Sequence, residues 1–125
     1  MIRLHLLALS IALVCGPALA GSGHELKPKH GGWVQEVKDV TFELVVRDGK
    51  LVLHLDDHGK PIATQGATGR VTVLQGTDRR DVALAPAGEN RMAAQEPMTL
   101  AAGAKLVTVV TLPGKAAMTA RFTAK

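Results

Sequence analysis

VTFELVVRDGKLVLHLDD, residues 40–57, decides the fold. Asp48-Gly49 separates two runs of alternating apolar residues. A two-residue turn at that point needs positive φ at both central positions, which Asp and Gly tolerate. Folding about it sets Arg47 against Lys50, Val46 against Leu51, Leu44 against Leu53 and Phe42 against Leu55. The last three pairs are apolar and share a face, whereas a slip of one residue would turn them all to the other side. The second face then carries Val45–Val52, Glu43–His54 and Thr41–Asp56.

Working outward, GKPIATQGATG (59–69) is a polar connection marked by Gly and Pro. RVTVLQ (70–75) reads as a strand, residues 76–79 as a turn and DVALAP (81–86) as the next strand. AGENRMAAQEPM (87–98) is a loop holding one short strand. AKLVTVVTL (104–112) and AAMTARFTA (116–124) form a closing hairpin about Pro113-Gly114-Lys115, with Met118, Ala120 and Phe122 facing in. Pro-Gly at its centre suits a type II turn. No sustained helical stripe occurs after residue 20. The expected fold is all-β, a small antiparallel β-sandwich of about seven strands over residues 33–125, with a five- or six-stranded barrel as the alternative.

The start of the chain reads as a cleavable export signal. Arg3 supplies the charge of a short n-region, Leu6 to Val14 is apolar apart from Ser10, and Ala18-Leu19-Ala20 is an A-x-A cleavage site. The apolar run is too short to stay in a bilayer. Cys15 follows the β-branched Val14 where a lipoprotein signal wants a small residue, so no stable membrane anchor is expected. The reading is a signal peptide over 1–20, a flexible arm over 21–32, and a periplasmic product.

Composition narrows the function. Cys15 is the sole cysteine, so the exported chain has no disulfide and no thiolate. The formal charge of +4 is mild and scattered, and with one Trp, two Phe and no Tyr few rings can stack on bases. Nucleic-acid binding is not expected. Nor is catalysis. After the signal the only serine is Ser22, on the arm, and phosphate loops, HExxH and dinucleotide fingerprints are absent. Asp56 and Asp57 are strand neighbours and point to opposite faces.

Four histidines remain: His24 and His30 on the arm, His54 and His58 on or just after the second hairpin strand. Imidazole suits copper and zinc, with carboxylates in support. His54 and His58 are about 13 Å apart on a straight strand, too far for one ion. His54 directly opposes Glu43, with Cβ atoms about 5 Å apart, and Asp56 is next on that face. An arm histidine could fold over it. Equally, Glu43–His54 could be a plain cross-strand polar pair and His58 a solvated turn residue. Cleavage after Gly21 would leave Ser-Gly-His, a square-planar nitrogen set for copper(II) or nickel(II). The A-x-A rule instead favours cleavage after Ala20, which makes His24 fourth and spoils that chelate. Met92, Met98 and Met118 are too scattered for a thioether site, and Trp33 reads as the anchor of the first strand.

HGGWVQEVKDVTFELVV and LHLDDHGKPIATQGATGRVTVL resemble a small domain of some periplasmic adaptor subunits of heavy-metal efflux pumps of the resistance-nodulation-division type, and related free-standing exported proteins. The resemblance runs from about His24 to Leu74 and implies a β-sandwich that handles copper, zinc, cobalt or cadmium. It points to His30 with Gly31 and Gly32, and to Asp57, His58, Gly59, Lys60 and Pro61. The chain lacks the helical hairpin, lipoyl and barrel domains of a whole adaptor. The expectation is a metal-binding accessory protein, a carrier or buffer for copper or zinc linked to a heavy-metal efflux system. His30 and His58 are its first ligands, then His54 and His24, with Glu43 or Asp56 in support. The alternative is a metal-free interaction module whose basic arm (Lys27, Lys29) and exposed sheet edge dock on an envelope partner. In either case GHELKPKHGGW is a strap hinged at Gly31-Gly32.

Overall fold

A computed structural model describes residues 26–125; the segment expected to be an export signal, its expected cleavage site and His24 lie outside the described residues. Nine strands form in chain order: β1 (Trp33–Val37), β2 (Val40–Arg47), β3 (Lys50–Asp57), β4 (Lys60–Pro61), β5 (Thr68–Gln75), β6 (Asp78–Pro86), β7 (Arg91–Ala94), β8 (Lys105–Thr111) and β9 (Met118–Thr123). The β2–β3 register pairs Phe42 with Leu55, Leu44 with Leu53 and Glu43 with His54, the pairing the sequence dictates. Asp48 and Gly49 sit at φ 52° and 75°, as the two-residue turn requires. At the closing hairpin Gly114 has φ 69° and Lys115 N donates to Leu112 O at 3.1 Å, a type II arrangement.

The all-β, antiparallel expectation holds, but the sandwich does not. The strands form one sheet in the order β1-β2-β3-β7-β6-β5-β8-β9, with β4 attached to β3. The element that prevents two separate layers is β7. It bonds β3 on one side, setting Leu53 against Met92, and β6 on the other, setting Leu84 against Ala94. The sheet curls until β1 and β9 run alongside each other, a nearly closed barrel. Its interior is filled by the inward faces: Phe42, Leu44, Leu53 and Leu55 from the hairpin meet Val71, Val82, Met92, Leu106, Val110 and Phe122. Each large side chain so buried stabilises the fold by about 1.5–3 kcal/mol relative to exposure. Trp33 opens β1 and packs against this core.

Candidate functional site

The outward face of β2–β3 would be wet in a bare sheet, yet Glu43, His54 and Asp56 are only 4, 4 and 8 % exposed. Residues 26–32 cover it as a strap. The Glu43 carboxylate is the fastening: Lys29 N donates to Oε1 at 3.0 Å, and His30 N and Gly32 N donate to Oε2 at 2.8 and 3.0 Å. The His30 ring completes the set through Nδ1, 2.9 Å from Oε1. A carboxylate has about four acceptor positions, so Glu43 is saturated. The Gly-Gly pair makes the approach possible. Gly31 has φ +74°, and a Cβ on Gly32 would lie 2.4 Å from Leu44 O and 2.7 Å from a Val45 methyl carbon.

His30 lies flat on His54, with ring centroids 3.7 Å apart and planes 7° from parallel. Because the Glu43 carboxylate only accepts, His30 Nδ1 is the donor, and in the neutral ring Nε2 keeps its lone pair. Among the described residues, neither nitrogen of the buried His54 ring has a hydrogen-bond partner. Burial pushes the His54 pKa down, helped by the nearby His30, Arg47 and Arg91 and opposed by Glu43. For Glu43, burial pulls upward but is outweighed by the His30 ring and the backbone N–H groups of Gly32, His30 and Lys29, which hold the carboxyl below its ordinary range.

The remaining candidates are placed differently. Asp56 accepts from Lys29 Nζ at 3.3 Å and from Asn90 Nδ2 at 3.2 Å. Asn90 lies just before β7 and also donates to Leu55 O; no spacing in the sequence marks it. His58 is the first central residue of the tight β3–β4 turn, at φ 48° with Gly59 at 83°. Its side chain is 60 % exposed, with Nε2 3.7 Å from Asp57 and 3.8 Å from Asp39. The structure therefore brings His30 together with His54 and Glu43, and leaves His58 at the turn beyond Asp56. Among the described residues, no group of three or more His, Cys, Asp or Glu side chains is arranged to hold a metal ion.

Compared with protein families, curated proteins and solved structures, the chain matches none, so the likeness to efflux-pump adaptors rests on the quoted residues alone.

Proposed function

We propose that the protein is a periplasmic metal-binding accessory protein, a carrier or buffer for copper or zinc linked to heavy-metal efflux, and that the ion is taken at the His30–His54 pair. The supporting observation is a buried His54 imidazole whose two nitrogens have no partner among the described residues, beside a second imidazole whose Nδ1 is held by a carboxylate. Burying such a polar group without a partner costs about 1–3 kcal/mol, which an ion would offset. Metal-bound histidines commonly donate their other ring N–H to a carboxylate, the role Glu43 has toward His30. Glu43 thus orients a ligand and is not one itself, since its acceptor positions are filled. The two rings are parallel, so their lone pairs run side by side and do not converge. Binding requires His30 to tilt off the stack. The three backbone N–H bonds to Glu43 keep the strap in place meanwhile. Asp56 stays with Lys29 and Asn90, His58 stays outside the site, and His24 is the candidate third ligand.

Calorimetric titration of the exported protein with Cu(II), Cu(I) and Zn(II) tests this. One ion per chain is expected, tighter than about 10 μM, near −7 kcal/mol. His30→Ala and His54→Ala should each weaken binding at least tenfold, and His58→Ala should leave it unchanged. Absence of binding by all three ions at that affinity overturns the function. Binding that survives His30→Ala with His54→Ala overturns the site.

A further inference from the structure

On the outer face of β5, β8 and β9 the register sets two rows of side chains. Leu74 pairs with Lys105 and Lys105 with Thr123; in the next row Val107 pairs with Arg121. Val73, Leu106 and Phe122 belong to the core, so alternation turns their neighbours outward. Beside these rows runs the strap. Its Leu26, Pro28 and Gly32, together with Trp33, Leu74 and Val107, line a depression of about 780 Å³. That volume falls within the range of small-molecule sites, about 300–1,000 Å³.

Two features describe what would fill it. The first is apolar surface. Leu26 and Leu74 are 38 and 39 % exposed, and both line the depression; the third exposed large apolar side chain among the described residues, Val46, does not. Exposed apolar side chains gathered at one place mark binding sites more often than singly scattered ones. The second feature is charge. Among the described residues no Asp or Glu lines the depression, whereas Lys105, Arg121 and Lys125 do. Lys105 and Arg121 are diagonal neighbours on paired strands, a separation of about 7–8 Å that long side chains can close. Lys105 Nζ bonds the Thr123 hydroxyl at 3.0 Å, and among the described residues neither Lys105 nor Arg121 is in an ion pair. Two like charges so close repel, and an anion set between them would reverse the sign of that interaction. The ligand this calls for has an anionic head and an apolar body.

We infer that this depression binds a single-chain anionic amphiphile, a medium-chain fatty acid. Its carboxylate sits between Arg121 and Lys105, and its tail lies along Leu26, Trp33, Leu74 and Val107. The Arg121 guanidinium offers the planar pair of donors that matches a carboxylate. Three of the four apolar walls are aliphatic, which suits an acyl chain, and the tail supplies affinity by leaving water. Leu26 and Pro28 belong to the same strap that Glu43 fastens from beneath. A bound tail therefore holds the strap down from outside, so occupancy and fastening reinforce each other. The inference is independent of the metal reading, since it needs the strap in place but neither imidazole.

The probe is decanoate, titrated below its micelle concentration into the metal-free exported protein and followed by Trp33 fluorescence and by amide shifts in ¹⁵N-labelled protein. One molecule per chain is expected, with shifts in residues 26–35, at Leu74, at the start of β8 and at the end of β9. Decanol, which lacks the charge, should bind about tenfold more weakly, and decyltrimethylammonium more weakly still. Octanoate should also lose about tenfold, for its two missing methylenes. Arg121→Gln combined with Lys105→Gln changes exposed side chains only. It should erase the preference for decanoate over decanol and leave the affinity for decanol unchanged. Glu43→Ala, which frees the strap, should weaken decanoate, and decanoate should slow proteolysis within residues 26–32 of the unaltered protein. No binding of decanoate, equal binding of acid, alcohol and cation, or shifts centred elsewhere would each overturn the assignment. So would binding to phosphatidylglycerol vesicles without binding of free decanoate, or a stable dimer that covers β8 and β9.

Discussion

The β2–β3 hairpin buries both of its faces, and it does so by opposite means. Inward, Phe42, Leu44, Leu53 and Leu55 are covered by other apolar side chains from across the sheet. Outward, Glu43, His54 and Asp56 are covered by a seven-residue strap whose backbone is hydrogen-bonded to one carboxylate. The inner face depends on volume and tolerates swaps that conserve it. The outer face depends on complete pairing, because each donor stripped of its acceptor is left buried and unsatisfied. One failure is graded and global, the other abrupt and local.

The sharpest break in this comparison comes from the inner face. Phe42→Ala should lower global stability by about 3–5 kcal/mol in urea unfolding, through lost transfer energy and a residual cavity. Glu43→Ala should cost less, about 1.5–3 kcal/mol, because the strap can lift and let water satisfy its N–H groups. Its signature is local: proteolysis within residues 26–32 and altered Trp33 fluorescence, while the β5–β6 amides stay protected. A Glu43→Ala protein that keeps the strap protected would remove the carboxylate from the account.

Acidity should act on the outer face alone. His54 has a depressed pKa in the folded protein, so below its ordinary value of 6.5 the unfolded chain takes up a proton that the folded one resists. Stability therefore falls as pH drops through that value. Glu43 is also depressed, so its contribution is present at neutral pH and is lost later, as pH falls through its folded value. In the metal-free protein the strap should loosen in this order between neutral and strongly acidic pH. The charges facing it are His30, Arg47, Arg91, Lys29 and Asp56. Trp33 fluorescence and the His54 ring resonances report it; a strap indifferent to pH between 7.5 and 4 would contradict the prediction. The smallest effect is Lys29→Ala. Its side chain is 56 % exposed and Asp56 retains Asn90, so about 0–1 kcal/mol is expected by the same denaturant measurement.

The two faces were also unequally legible. The inner one follows from local rules: Asp48-Gly49 sets the turn and the alternation sets which side chains go in. The same turn chemistry places His58 at φ 48°, the position of a tight-turn residue. Barrel-like curvature was not legible, since it depends on four residues of β7 bonding on both sides and on pairing between β5 and β8, far apart in the chain. The saturation of Glu43 was equally hidden. Its donors lie 11 to 14 residues earlier, and three of the four are backbone N–H groups, which leave no residue-type signal. Only Gly31-Gly32 hinted at them, as a pair able to pass close to another strand.

The direction of that fastening has a kinetic consequence. The strap precedes β2 in the chain, yet its acceptor exists only once β2 and β3 are paired and Glu43 is held at a fixed height above the sheet. Its hydrogen bonds therefore form after the hairpin, late on the folding path. Interactions absent from the folding transition state slow unfolding without speeding folding. The strap should act as a catch that sets how long the folded molecule lasts: weakening it should steepen loss of the native state and leave the refolding rate where it was.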